Sequence, residues 1–501
     1  MSIVTDLVAA SAALRDPVSL SDENYDRQLR DHTAYIRQLI SKRDLGSIAR
    51  DQELLNHFDP SDDSITYLLL LRLQIHTLQE TSGGVLPTEL LPFGRLWSQS
   101  AHYLEVFDRV QVRYIGHEWV QLIESMVLAA QATSKPLLAA RLIKDALLRL
   151  DPSCAVLTST HLLLAQLCLA ARAYTCALPV LNKHICHIPA LPSRASSNSL
   201  SIRCAEHESS QSFINETTGL ASKLSYRDYL RYFLYGGMIY MALKEWRKAS
   251  HFLGIVISMP TMGSVSMIMV EAYKKWILVG LLDKGKLCSP PSITAPQVIK
   301  TFQSLAKPYI SFAQAFERGD MKRLEAEVDA ARDIWHLDNN TGLVWQVVNA
   351  YSTHSLIKAK KVFAALTVAE LQSHTSPSPM DVNGAVKANL ASLVVSNAIE
   401  AKLAQPQLYS KDTMLRFADV SSLPEASRET KVQAQFEGER QLLEALFGGV
   451  EENSNGLGLS EEFIDTIVKG QQAWPSATVM NPSLGRDAGL EMDEDIMGDL
   501  S

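Results

Sequence analysis

Apolar side chains recur three and four positions apart through most of the first 190 residues, the period of amphipathic helices. Leu54, Leu55 and Phe58 lead into a turn at Asp59-Pro60-Ser61, and 65–77 then reads as a strongly apolar helix. Pro87 and Pro92 punctuate the next connection. Tyr103, Phe107, Val110 and Tyr114 fall on one face at helical spacing. Segments 139–150 and 161–171 continue the pattern. Asp151-Pro152 separates them, because a proline disfavours helix in the residue before it. The span 1–190 is therefore expected to consist of N-terminal helical repeats.

The texture changes over 191–225. Its opening, LPSRASSNSLSIRCAEHESSQS, is rich in serine and poor in large apolar residues, and reads as a loop or insertion. Helical period returns for 226–350. There Phe233, Gly236, Gly237 and Tyr240 precede Ala249 and Leu253, and Pro260 ends the second helix. That order approximates the tetratricopeptide pattern of aromatic, small pair, tyrosine, alanine, apolar, proline. Such a repeat cannot bury its apolar face alone and stacks on its neighbours. The expected fold is mainly α, a right-handed helical-repeat (TPR-like) solenoid.

The span 351–420 differs. A helix carrying Lys358, Lys360 and Lys361 leads to Thr367-Val368-Ala369-Glu370, which has the form of a capping box. A short helix ends at Ser376-Pro377-Ser378-Pro379. A longer helix covers 385–402, and short extended pieces follow near 401–404 and 414–418 around Gln405-Pro406. Helix, helix, helix, two strands is the order of a winged-helix module. Beyond it a C-terminal helix is expected over 428–448. Val432, Phe436, Leu443 and Phe447 form its apolar stripe, with Leu442 and Leu446 beside it and Gly448-Gly449 as its stop. A stripe that projects past a compact module needs a partner. Segment 459–468 offers a second amphipathic piece. The span 475–501, with Glu491, Asp493, Glu494, Asp495 and Asp499, reads as a disordered acidic tail.

Composition narrows the function. With 501 residues and 47% hydrophobic side chains, the chain has the means to build several cores. A net charge of −8 disfavours a general nucleic-acid or anionic-membrane binder. The six cysteines form no CxxC pair, which fits a reducing compartment. The start, MSIVTDLVAASAALR, lacks a basic lead and carries Asp6, unlike a signal peptide. Two apolar runs, 155–171 and 249–270, read as buried core helices; polar residues interrupt the first, and Pro260 and Gly263 break the second.

Reactive motifs are incomplete. Gly280-Leu281-Leu282-Asp283-Lys284-Gly285-Lys286 follows the phosphate-loop spacing, but Leu287 replaces the hydroxyl that would hold magnesium, and the run follows a helix rather than a strand. His184, Cys186 and His187 crowd one segment without zinc-ligand spacing. No Gly-x-Ser-x-Gly elbow is present. The expectation is a chain that is not an enzyme and has no catalytic, metal or cofactor residues and no small-molecule substrate. The helix 385–402 is mostly apolar, with Lys387, Lys402 and Glu400 as its charges, which suits strand-edge pairing with another protein better than groove reading.

Four runs carry a family resemblance: YGGMIY at 235–240, VEAYKKWILVGLL at 270–282, DNNTGLVWQVV at 338–348 and AKKVFAALT at 359–367. They resemble the family of third subunits of the COP9 signalosome, most specifically over 230–370. The resemblance implies the PCI layout, a helical solenoid ending in a winged helix, which proteasome-lid and translation initiation factor 3 subunits share. It also implies a non-catalytic scaffold in the complex that removes Nedd8 from cullins, whose zinc isopeptidase centre lies in a different subunit. The implied partners are other signalosome subunits of PCI and MPN type and, through them, cullin-RING ligases. The implied location is cytoplasmic and nuclear, without a membrane. The alternatives are the equivalent scaffold of the proteasome lid or of initiation factor 3, and a nucleic-acid adaptor of the same fold.

Overall fold

The computed structural model describes residues 2–12, 14, 21–41, 51, 53–83, 86–189, 204, 209–221, 224–260, 265–362, 365–367 and 414–416, and separate positions between 436 and 464. The described chain is mostly helical, and its contacts fall into two compact units. One comprises 1–239 with 455–480, the other 240–454 with 481–501, and the boundary lies inside the helix Tyr226–Ala242.

In the first unit, successive helices joined by short turns pack side by side: Gly116–Ala132 against Pro136–Leu150, and the latter against Ser159–Ala170. Short connections make such neighbours antiparallel, the construction of a helical repeat. The helix Ser64–Thr81 carries the run that the apolar pattern anticipated and is buried along its first two turns. Polar groups fix its start. Gln111 donates to the Asp62 carbonyl at 2.6 Å and accepts from the Ile65 amide at 3.2 Å, and Ser64 accepts from the Asp108 amide at 2.7 Å. Tyr67 stacks on Tyr103, Tyr103 on Phe107, and Phe107 meets Trp119 edge-on, at centroid distances of 5.7, 5.8 and 6.2 Å.

The single helical face expected for Tyr103, Phe107, Val110 and Tyr114 is interrupted. The helix Arg95–Val106 ends before Phe107, and Asp108 caps a new turn, Arg109–Val112, by accepting from the amides of Val110 and Gln111. An aspartate that offers the backbone this bond competes with continuation of the helix.

The expected loop 191–225 is ordered at its far end. Ser210–Phe213 is a short helix, and Phe213, Ile214, Leu220 and Ala221 are buried. The Arg113 guanidinium lies 4.0 Å from the Phe213 ring centroid, and Ser210 donates to Asp151 at 2.7 Å. Gly219, at φ +77°, sits so near the helix start at His117 that a Cβ would lie 2.6 Å from the His117 nitrogen. Glycine alone meets both demands. Cys204 reaches the carbonyl of Asp22 at 3.0 Å.

In the second unit, Trp246–Ser258 packs on Met267–Lys284, which also meets Lys307–Arg318 and Thr341–Val362. Of the residues of the repeat pattern, Tyr240, Ala249 and Leu253 are buried in this unit, and Phe233, Gly236 and Gly237 are buried in the first. After Val362, strand Ala365–Thr367 pairs antiparallel with Met414–Arg416, in register Ala365 with Arg416 and Thr367 with Met414. The 414–418 expectation thus has a strand at its start, but the helical reading around 358–367 lacked one. A short apolar run, Val362 to Leu366, does not by itself distinguish strand from helix. The pieces at 368–413, and with them the capping-box glutamate and the expected recognition helix, lie outside the described residues.

Candidate interaction surface

Two of the runs that carry the family resemblance, 270–282 and 338–348, meet in one polar cluster in the second unit. The helix Met267–Lys284 places Lys274 and Lys275 side by side, and helix Lys307–Arg318 brings Tyr309. Asp338 caps the C-terminal end of Arg332–Leu337, and Asn339, at φ +50°, turns the chain so that Asn340 points inward. Lys274 Nζ contacts both Asp338 carboxylate oxygens, at 2.7 and 2.6 Å. Tyr309 donates to Asp338 at 2.8 Å and accepts from Asn340 at 2.7 Å. Lys275, 4% exposed, donates to Asn340 at 2.8 Å and pairs with Glu271 at 3.2 Å. Burial pushes the Tyr309 phenol well up, the bond from Asn340 opposes that, and the Asp338 charge adds to it. Trp335 closes the cluster edge-on to Tyr309 at 4.6 Å and donates its indole N–H to the Val328 carbonyl. Each charge here is used on a neighbour. The cluster ties three helices together and presents no nucleophile.

The near phosphate loop is a helix end. Gly285, at φ +65°, terminates Met267–Lys284, and its amide donates to the Leu281 carbonyl. His354 covers it: a Cβ on Gly285 would lie 2.6 Å from Nδ1, and Nε2 donates to the Leu282 carbonyl at 3.1 Å. The Leu287 amide is taken by Glu317 at 2.6 Å. A carboxylate already occupies the place where an anion would be received.

His184, Cys186 and His187 lie in an extended segment. His187 bridges to Val156, and the Cys186 and His187 amides share the Ala155 carbonyl. Ile185 and Ile188 face the core, His184 and Cys186 are exposed, and His187 is half-buried. Among the described residues no three His, Cys, Asp or Glu groups are arranged to hold a metal, and no helix is long and apolar enough to cross a membrane. His161 is a core residue. It occupies the third helical position of a capping box with Thr158, and burial pushes its pKa down to about 4.

The described positions between 436 and 451 are all helical. Phe436, Leu443 and Phe447 are 66%, 54% and 73% exposed; Leu446 and Val450 are also exposed. Phe436, Leu443, Phe447 and Val450 repeat at steps of seven, four and three, so they form one stripe. Arg440, four positions after Phe436 and three before Leu443, lies at the edge of the same stripe and bridges Glu437 at 2.9 Å and Glu444 at 3.5 Å. Val432, the first residue expected in the stripe, lies outside the described residues. The expected stop at Gly448-Gly449 is not one, since both glycines are helical and the helix continues through Glu451. A Cβ on either would lie 3.7 to 3.9 Å from the Arg247 guanidinium, an ordinary contact distance.

A family model described as COP9 signalosome complex subunit 3, N-terminal helical repeats, matches residues 26–299. The COP9 signalosome complex subunit 3 of Emericella nidulans is 41% identical over 495 residues, covering 98% of each chain. The chain belongs to the COP9 signalosome subunit 3 family. Proteins of the same description from Neurospora crassa and Dictyostelium discoideum are each 27% identical, over 462 and 268 residues. Those matches cover 90% of this chain and 89% of the Neurospora protein, and 53% and 57% for the Dictyostelium one.

The resemblance read from 235–240, 270–282, 338–348 and 359–367 is thus borne out. The family relationship also reaches further toward both ends of the chain than those runs did. Subunit 3 chains are subunits of a complex, and among the described residues the stripe is an apolar row left exposed. Val450, Leu457 and Ile464 extend the exposed apolar set beyond the residues singled out in sequence. Continuation of the stripe's spacing past the two glycines was the signal for Val450. Leu459, in the second expected amphipathic piece, is buried.

Proposed function

We propose that the chain is a non-catalytic scaffold subunit of the COP9 signalosome, the complex that removes Nedd8 from cullins. The exposed stripe Phe436, Leu443 and Phe447 carries this reading, since the family is one of complex subunits and apolar rows left in water mark interfaces. Val432 would extend the same row toward the N-terminal end of the helix. The helix enters a bundle with the C-terminal helices of other subunits. The span 351–420 forms a winged helix that pairs edge to edge with those of other PCI subunits. The antiparallel pair of Ala365–Thr367 with Met414–Arg416 supports the winged helix, because its short strands leave edge groups for a neighbour. Partners are PCI- and MPN-type subunits, and cullin-RING ligases indirectly, in cytoplasm and nucleus.

The test is affinity purification of the tagged full chain beside a version ending at 425 and a Phe436→Ser/Leu443→Ser/Phe447→Ser variant. The full chain is expected to bring the other subunits, the two altered chains are expected to lose most of them, and neddylated cullin should accumulate. Unchanged recovery of the subunits with both altered chains would refute the bundle role. Isopeptidase activity of the isolated chain would refute the non-catalytic one.

A further inference from the structure

Phe93 stands in the turn Leu91-Pro92-Phe93-Gly94, closed by the Gly94 amide donating to the Leu91 carbonyl at 2.8 Å. A proline second and a positive φ third are the marks of a type II turn, whose third position ordinarily takes glycine. Here a phenylalanine holds it at φ +74°, a conformation that bulky residues seldom adopt. The ring gains no burial in exchange, since the residue is 74% exposed. Its presentation is rigid. A Cβ on Gly94 would lie 2.3 Å from the Glu89 carbonyl oxygen, and Glu89 also pairs with Arg95 at 2.8 Å. The ring's contact is the Lys135 ammonium, 4.9 Å from its centroid. Among the described residues no carboxylate pairs with Lys135.

We infer that the Phe93–Lys135 turn is a second docking point, which inserts its ring into an apolar pocket edged by a carboxylate on a neighbouring subunit. A cation beside an exposed aromatic selects for that pairing. The ring supplies apolar area at little conformational cost, and Lys135 supplies a charge that no described carboxylate neutralises. Strained positions persist where the strained group is used, and here its use lies outside the chain. This inference rests on the reading of the chain as a complex subunit.

The experiment uses the full chain, tagged and expressed in cells, with Phe93→Gly, Lys135→Glu and Lys135→Arg, and a photo-crosslinking benzoylphenylalanine at position 93. Phe93→Gly should leave the thermal midpoint of the purified chain unchanged or raised, because glycine accepts that φ, yet reduce retention of the neighbouring subunit about 30-fold. Lys135→Glu should reduce it about tenfold, and Lys135→Arg should restore it. The crosslink should land on another signalosome subunit within a few residues of an Asp or Glu. If the wild-type chain assembles and Phe93→Gly assembles equally well, or if the crosslink lands only on this chain or a second copy, the docking point is refuted and the scaffold reading stands. If the wild-type chain recovers no signalosome subunit, the scaffold reading fails and this inference with it.

Discussion

The cluster formed by Lys275, Asn340 and Tyr309 makes a quantitative test of how this fold is held. Lys275 is buried and has two partners, Asn340 at 2.8 Å and Glu271 at 3.2 Å. Asn340→Leu removes the hydrogen bond to the ammonium and the one to Tyr309. A bond to a charged group contributes about 1.5–3 kcal/mol and a neutral one about 1 kcal/mol, so the cost is about 3 kcal/mol. Lys275→Met leaves the Asn340 carbonyl oxygen without its donor and costs about 2 kcal/mol. The double variant leaves neither group stranded, since the Glu271 side chain is 44% exposed and solvates. It should therefore cost less than the sum of the two by about 1–3 kcal/mol. Amide hydrogen exchange in the helices Met267–Lys284 and Lys307–Arg318 measures this without assuming that the whole chain unfolds in one step. Protection should fall about 100-fold in Asn340→Leu and recover partly in the double variant. Strictly additive losses, or a single-variant cost below about 0.5 kcal/mol, would show that these bonds do not couple the helices.

Two further expectations concern the first unit. Burial pushes His32 and His161 down to about 4 from 6.5, so the stability they confer is complete above pH 6.5 and is lost as pH falls toward 4. At pH 5 each costs about 2 kcal/mol by linkage, and His161→Gln should flatten a melting-temperature profile between pH 7 and 4.5; an unchanged slope would contradict the assignment. Gly219→Ala adds a Cβ 2.6 Å from the His117 nitrogen at a positive φ, whereas Gly83→Ala, also at positive φ, has nothing within 4 Å. The first should cost about 3 kcal/mol or more and open 209–221 to limited proteolysis, and the second about 1 kcal/mol; equal costs would show that the close approach is not the cause.

Long-period features were the legible ones. Residues at helical spacing in 139–150 and 161–171 lie in helices Pro136–Leu150 and Ser159–Ala170, because burial along one face is what the spacing records. The rejection of the phosphate loop rested on Leu287 and on the preceding helix, and the structure adds Glu317 and His354, which no local pattern shows. The polar cluster was visible only as two runs of residues without an evident role; its bonds join positions some 65 apart in sequence. Local competition defeated periodicity at Phe107-Asp108, where a side-chain cap ended the helix. At Gly448-Gly449, glycine's low helix propensity misled, since both glycines are helical. Segment 209–221 read as loop by composition, yet a few residues, Phe213 and Leu220 above all, suffice to anchor it.

The size of the exposed stripe limits what it can do alone. Full burial of a Phe or Leu side chain contributes about 1.5–3 kcal/mol, and these positions already hide between a quarter and a half of their surface. Four residues, Phe436, Leu443, Phe447 and Val450, would then contribute about 4–8 kcal/mol on entering a bundle. Association itself costs about 4–15 kcal/mol in lost freedom. On the proposed reading the stripe is therefore not a sufficient anchor, and a second contact on the same chain has to act with it. Once one contact holds, the other closes at an effective concentration set by the geometry of the chain rather than by solution. Loss of either should weaken assembly by orders of magnitude without abolishing it, and loss of both should release the chain. Release on removal of one contact alone would mean that a single interface carries the attachment, and the area of this stripe is too small for that role.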